Sequence, residues 1–299
     1  MGEPNALDNP LDMDQLQARL VETGLFSRLV KVESTGSTNA DLLAAAAEAD
    51  FTETWPHLSV LTAEEQTAGR GRMQRGWASP PGTTLSTSVV LQPSLPPEQR
   101  HWLSLAAGLA LIGVLRRHGI PASMKWPNDV HVHGRKIAGI LAMVPPENPQ
   151  TVILGCGINV LQTAEQLPVP TATSVLLERP QTTGTMRTEL LAAWLTDFAE
   201  LIHRIQGEGD IDPIREDIIA VIGTIGEEVR VELPDQTAVR GRATAVEPDG
   251  ALTIEVTSRR RTPLDAEAGG GPAHLWETVA PYRQSFNSGD VIHLRYDAA

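Results

Sequence analysis

The chain has 299 residues, 41% hydrophobic and 20% charged, an ordinary globular composition with room for more than one domain. A formal net charge of −13 argues against broad binding to nucleic acid or to an anionic membrane, because the long-range field repels phosphates. The single cysteine, Cys156, excludes an intrachain disulfide and fits a reducing cytoplasm.

Met1–Pro10 reads as a polar tail without the basic-then-apolar layout of a signal peptide. The longest apolar stretch, around Leu103–Leu115, is too short to span a bilayer, so a cytoplasmic protein is expected. Asp12 or Asp14 caps a short helix carrying Leu16, Leu20 and Val21 and stopped by Gly24. A strand, Leu29–Glu33, leads through a polar turn into an Ala/Leu-rich helix, Asp41–Ala49, with Ser37, Thr38 and Asn39 around its N-cap. Leu58–Ala63 reads as a buried strand, Thr84–Leu91 as a second β run, and Pro96–His118 as a long helix stopped by Gly119. Ser123–Trp126, Val130–Val132, the turn His133-Gly134, a strand through Val144 and Thr151–Asn159 continue the β pattern. Two helices follow, Arg187–Gln206 and Pro213–Ile222. The hairpins point to an α+β fold with a mixed, largely antiparallel sheet rather than a doubly wound one.

After Gly223 come short β runs at Glu228–Leu233, Val239–Val246, Leu252–Thr257, Leu275–Val279 and Val291–Arg295, the spacing of a small barrel of about seventy residues. Arg259–Pro272 reads as an insertion-like loop. The expected division is an N-terminal tail and helix (1–28), a main domain carrying the mixed sheet (29–223) and a C-terminal β domain (224–299).

The most informative segment is Gly69-Arg70-Gly71-Arg72-Met73-Gln74-Arg75-Gly76-Trp77, three arginines among glycines in an acidic chain, ending on tryptophan. Glycine lets backbone N–H groups approach an anion, Arg pairs with carboxylate or phosphate, and an indole can stack on a flat base. It is neither a Walker A loop nor a dinucleotide fingerprint, and a basic surface loop is the competing reading. Ser37-Thr38-Asn39 at a helix N-terminus could bind a polar ligand group, although capping alone would explain them. Gln66 offers an amide that donates and accepts at once. Lys125-Trp126-Pro127-Asn128-Asp129 sets a cation and a carboxylate about a proline turn, suited to phosphate and Mg²⁺ or to a plain Asx turn. Lys136 opens an otherwise apolar strand, where an ammonium is costly unless it reaches water or an anion. His131 and His133 alternate as if on one face of a strand but lack a third metal ligand, and Cys156 in an apolar run reads as a buried structural thiol.

Together these segments resemble the biotin protein ligase family, from about Val32 to Val160. The match comprises the Ser-Thr-Asn turn, Gln66 with Gly69–Arg72 and Trp77, the Lys-Trp-Pro-Asn-Asp run, Arg135-Lys136 before Ala-Gly-Ile-Leu, and Gly155-Cys156-Gly157-Ile158-Asn159. The resemblance implies a class II synthetase-like catalytic core with an SH3-like C-terminal domain, and ATP-dependent conversion of biotin to biotinyl-5′-AMP. The biotinyl group then passes to a lysine of a biotin carboxyl carrier protein of acyl-CoA carboxylase.

On that resemblance Lys136 and Arg72 are the catalytic cations. Ser37, Thr38, Asn39, Gln66, Gly69, Arg70, Gly71, Arg72 and Lys136 hold biotin. Arg70, Arg72, Arg75, Trp77, Lys125, Asn128, Lys136 and Asn159 serve ATP and the adenylate, with Trp77 stacking on adenine, and Asp129 helps to hold Mg²⁺. The Gly/Arg loop is expected to order on ligand binding. A lipoate or octanoyl ligase shares the fold and is the nearest alternative. A biotin-sensing repressor or a non-catalytic binder is a more distant one: the thirty or so acidic residues before Val32 offer one helix, so no DNA partner is expected. Either a monomer or a homodimer fits.

Overall fold

The computed structural model describes residues 10–72, 75–233, 237–260, 276–287 and 289–294. The expected N-terminal tail, most of the Arg259–Pro272 loop, and Met73 and Gln74 of the Gly/Arg segment lie outside them. Asp12 caps α1 (Met13–Leu16), its Oδ1 accepting from Gln15 N at 2.9 Å, and the chain continues through a π-helical turn, Gln17–Val21. Leu16 and Leu20, four residues apart, are both fully buried.

A parallel pair comes first. β1 (Arg28–Thr35) runs beside β2 (Ser59–Gln66), joined through α2 (Thr38–Ala45) and the single turn α3 (Phe51–Thr54). Then follow β3 (Thr84–Leu91), α4 (Trp102–Arg117), β4 (Ala122–Lys125), β5 (Asp129–Val132), β6 (Arg135–Met143) and β7 (Val152–Asn159). They form one seven-stranded sheet in the order β1-β2-β3-β7-β6-β5-β4, antiparallel everywhere except β1–β2. This is the expected mixed, largely antiparallel sheet.

The two faces of the sheet differ in chemistry. Leu85, Val89, Leu154 and Ile158 belong to the main core with α4 and α6 (Met186–Glu208). Trp194 of α6 donates its indole N–H to Ala107 O at 3.0 Å, tying the two helices together. On the opposite face Leu61, Val90 and Ile153 are covered by Leu42, Ala46 and Phe51 of α2 and α3. That cover stops short. Farther along the same face the register aligns Ser88 with Gly155 and Leu141, and Ser86 with Gly157 and Gly139. The result is a floor made mostly of small residues.

After α5 (Val175–Glu178), α6 and α7 (Asp212–Val221), the chain forms a five-stranded antiparallel sheet. Its strands are β8 (Glu228–Glu232), β9 (Ala238–Val246), β10 (Leu252–Arg260), β11 (Trp276–Phe286) and β12 (Asp290–His293), in the order β11-β10-β9-β8-β12. Its inner residues Val229, Val231, Leu252, Ile254 and Val291 are continuous with the main core.

Four details depart from the pattern reading. The long helix starts at Trp102, with Pro97–Gln99 forming a separate 3-10 turn. α3 and α5 are single turns, too short for a 3.6-residue period to register. β11 extends to Phe286 although Pro281 interrupts its sequence. It is an edge strand, and its pairing with β10 jumps between Val256↔Tyr282 and Ser258↔Thr278, so the proline sits in a bulge and needs no ladder N–H. The reading of His131 and His133 on one strand face also fails, because His133 stands in the turn expected at His133-Gly134. With Gly134 it forms the two-residue turn between Val132 and Arg135, at φ of 49° and 74°, the left-handed pair that such a hairpin needs. His131 and His133 therefore do not share a strand face.

Candidate active site

The uncovered part of the glycine floor opens into a cleft of about 630 Å³. It brings together Ser37, Thr38, Asn39, Gln66, Arg70, Gly71 and Arg72 with Arg75, Trp77, Lys125, Asn128, Asp129, Lys136 and Asn159. Of the expected site residues only Gly69 is not in its lining. Gly69 is a backbone anchor: its carbonyl accepts from Trp77 N at 2.8 Å, and a Cβ there would meet Trp77 O at 2.7 Å. Gly71 N donates to Arg75 O at 2.8 Å, and Arg70 bridges Gly76, so the described part of the Gly/Arg segment is a small antiparallel finger.

One end of the cleft is the N-terminus of α2. Ser37 is the N-cap, with its hydroxyl facing Ala40 N at 3.5 Å. Gln66 Oε1 accepts from Thr38 N at 2.8 Å and from Thr38 Oγ1 at 3.2 Å, which leaves its Nε2 donors for a ligand. Asn39 is buried, donates to Leu141 O at 3.0 Å and lies 2.7 Å from Ser88 Oγ. It pins the helix to the floor more than it reaches into the cleft. Gly155 makes this possible: a Cβ there would lie 2.5 Å from Asn39 Oδ1.

The centre is Lys136. Its backbone is clamped on both sides, Lys136 N donating to Thr171 O and Thr173 N to Lys136 O, both at 2.8 Å. Asn159 in turn donates to Thr173 O at 2.9 Å, so it supports this clamp. The ammonium lies 2.7 Å from Asp129 Oδ1 and 5.6 Å from the centre of the Trp77 ring. The Trp77 indole lies on the floor, where a Cβ on Gly157 would be 2.4 Å from Cε2. Its Nε1 is buried without a hydrogen-bond partner among the described residues.

At the other end Arg72 donates to Asn128 Oδ1 at 3.2 Å, while Asn128 Nδ2 donates to Ile140 O at 2.7 Å. Burial alone would raise the Asp129 carboxyl, but His131 and Lys136 outweigh it and hold the group at about 2. Since His131 Nε2 lies 3.9 Å away, beyond hydrogen-bond reach, its pull acts through space. Asp129 thus stays anionic at any working pH. It is the one acid in the described lining, against the cations Arg70, Arg72, Arg75, Lys125 and Lys136. A cleft so charged inside a chain of net −13 is built for anions.

Among the described residues no group of three or more His, Cys, Asp or Glu could hold a metal ion, and the expected Mg²⁺ ligand Asp129 already spends Oδ1 on Lys136. Cys156 is buried and burial pushes its thiol pKa up, as a structural thiol requires.

Residues 32–159 match the model of the biotin/lipoate A/B protein ligase family, and residues 224–294 that of the biotin protein ligase C terminal domain. Over 99% of its length the chain is 37% identical to a biotin–[acetyl-CoA-carboxylase] ligase of Mycobacterium tuberculosis, covering all of that protein. The chain belongs to the biotin protein ligase family. A ligase of the same name from Paracoccus denitrificans is 31% identical over 78% of this chain and 96% of its own. In fold, the chain is similar to the biotin protein ligase of Aquifex aeolicus solved in complex with biotin and ATP. The TM-score is 0.67 at 23% identity, with 91% of this chain and all of that one covered.

Several lining residues of this biotin protein ligase were given no site role by the sequence, although Gly139 and Gly157 stand inside the matched motifs. Gly139, Gly157 and Ser86 form the floor only through strand register, and Gly289, Val291, Ile292 and His293 arrive from the C-terminal sheet. The alternation Thr84-Leu85-Ser86-Thr87-Ser88, small and polar on one face, is the signal that could have found the floor. Gly157→Ala is expected to lift Trp77 off the floor and weaken nucleotide binding by about 5- to 150-fold, the equivalent of a 1–3 kcal/mol packing conflict. Titration calorimetry measures it, and wild-type affinity would remove the floor from the ligand site.

Proposed function

We propose that this ligase joins biotin to ATP, forming biotinyl-5′-AMP and pyrophosphate, and then transfers the biotinyl group to a lysine of a carrier protein. The observation that carries this reading is the placement of Lys136 between a hydrogen-bonding end and a cationic end of one cleft. In the first step a biotin carboxylate oxygen bonds to the α-phosphorus as the bond to pyrophosphate breaks. Two anions meet, and positioned charge from Lys136 and Arg72 offsets the negative charge that accumulates. Gln66 Nε2, Ser37 and Thr38 suit the ureido end, whose urea both donates and accepts. Trp77 offers adenine a stacking face, while Arg70, Arg75, Lys125, Asn128 and Asn159 surround the nucleotide. In the second step a neutral lysine amine attacks the acyl carbon, the bond to AMP breaks, and the amine proton is released.

The described residues do not make a resident metal site, so Mg²⁺ would enter as part of the nucleotide substrate. The names of the two relatives point to an acetyl-CoA carboxylase as the source of the acceptor, a biotin carboxyl carrier domain. Among the described residues no helix is long and apolar enough to cross a membrane, and a cytoplasmic location fits the acceptor.

The deciding assay supplies ATP with labelled biotin or labelled lipoate. An adenylate from biotin is expected, and an adenylate from lipoate alone would sink the assignment.

A further inference from the structure

The turn after β4 carries Lys125, Asn128 and Asp129 into the cleft, yet part of its anchorage comes from far along the chain. Trp126 N donates to Thr224 Oγ1 at 3.0 Å, and Thr224 is fully buried. The same hydroxyl lies 3.1 Å from His293 Nε2 on β12, and His293 lines the cleft. Two further bonds frame the contact: Gly223 N donates to Met124 O at 2.9 Å, and Trp126 Nε1 donates to Gly250 O at 3.0 Å. Those two end on backbone carbonyls. The Thr224 hydroxyl is different, because one oxygen joins the peptide between Lys125 and Trp126 to a cleft-lining side chain of the C-terminal sheet.

A hydroxyl has one proton and two lone pairs. Having accepted from Trp126 N, Thr224 can still donate to the imidazole or accept from it, and either bond fixes the direction of the peptide relative to β12. That peptide sets where Lys125 leaves the strand, and a misplacement of about 1 Å at a reacting centre can cost 10²-fold in rate. The biotin end of the cleft, built on α2 and β2, is not part of this linkage.

We propose that Thr224 is a positioning residue through which β12 orients the Lys125–Asp129 turn, and with it the nucleotide end of the cleft. This rests on the biotin- and ATP-using reading above. Its signature is a split: nucleotide use depends on the Thr224 hydroxyl, and biotin binding does not.

The test uses the full chain and three variants, Thr224→Val, Thr224→Ser and His293→Ala. Biotin affinity is measured by calorimetry without ATP, and the KM for ATP from pyrophosphate release at saturating biotin. Thr224→Val keeps the shape without the hydroxyl, and is expected to raise the KM for ATP by about tenfold, the scale of one lost hydrogen bond. Biotin affinity stays within about twofold. Thr224→Ser is expected to restore the KM, and His293→Ala to raise it in the same direction in a variant that keeps the buried hydroxyl. Should Thr224→Val fail to fold, the serine and His293 variants decide alone. An unchanged KM for ATP in His293→Ala overturns the proposal, as does an equal loss of biotin affinity in Thr224→Val that serine does not rescue. Pyrophosphate release by the wild-type chain separates the two readings. Its absence overturns the functional reading itself, whereas its presence beside an unaltered Thr224→Val overturns the positioning role alone.

Discussion

Lys136→Ala is expected to slow formation of biotinyl-5′-AMP by about 10²- to 10³-fold, the scale seen when one preorganised donor is taken from a developing negative charge. The loss has two parts. The first is the missing ammonium, which the backbone clamp at Thr171 and Thr173 holds in place before any ligand arrives. The second is Asp129, which in the variant keeps its charge without the partner now at 2.7 Å, and so repels both reacting anions.

The pH dependence follows from the same pair. A carboxyl held at about 2 contributes fully above its unfolded value of 3.8, and that contribution is lost only as the pH falls through about 2. Between pH 6 and 9 Asp129 is therefore expected to add no inflection. Arg72→Ala is expected to act in the same direction, and Asn128→Ala more weakly, since Asn128 holds the guanidinium. Single-turnover release of pyrophosphate measures all three. A wild-type rate in Lys136→Ala or Arg72→Ala would refute the roles given to these cations.

Glu64→Ala is expected to destabilise the fold by about 3–5 kcal/mol, the usual consequence of removing one partner of a buried ion pair. Glu64 sits on β2 facing the helices. Its Oε2 lies 2.6 Å from Arg187 Nη2, and the Arg187 side chain is fully buried. Glu64 Oε1 accepts from Leu11 N at 2.8 Å and lies 3.5 Å from Lys31 Nζ. One carboxylate thus joins the segment before α1, β1, β2 and α6, while Arg187 Nε also donates to Thr84 O at 3.1 Å.

Burial pushes the Glu64 carboxyl up, but Arg187, Leu11 N and Lys31 together hold it below its ordinary 4.5. A lowered value means that its stabilisation is full above 4.5 and lost as the pH falls through the lowered folded value. Urea denaturation at pH 7 measures the loss, and repeating it toward pH 4 tests the sign. A midpoint for Glu64→Ala equal to the wild type at pH 7 would refute the network. Biotin affinity of the folded fraction should change little, because the network lies on the face opposite the glycine floor.

Much of the site was legible because its chemistry is local. Arginines and glycines in the Gly69–Trp77 segment, hydroxyls at a helix N-cap and a lysine opening an apolar strand each carry a cost or a capacity that the residue type states by itself. The helix stops at Gly24 and Gly119, with φ of 78° at both, follow from glycine alone. What misled was equally physical. Pro281 argues against a strand until edge placement and a bulge remove the need for its N–H, and His133 alternates with His131 in sequence while standing in a turn.

The sequence by itself determined the residue types of the cleft, the order of most of the elements and the family, because periodicity, caps and motif spacing are properties of neighbouring residues. Tertiary structure decided what each polar group has left to offer. Asn39, Asn128 and Asn159 read alike as ligand-binding amides, yet each amide nitrogen is bound to a backbone carbonyl, at Leu141, Ile140 and Thr173. Asp129 read as a metal ligand and is paired with Lys136, and Trp126 read as part of a motif and is held by Thr224 and Gly250. The physical reason is that a hydrogen-bonding group has few bonds to give, and distant partners, such as Gly250 at 124 residues from Trp126, are chosen by the packing of sheets and not by local pattern.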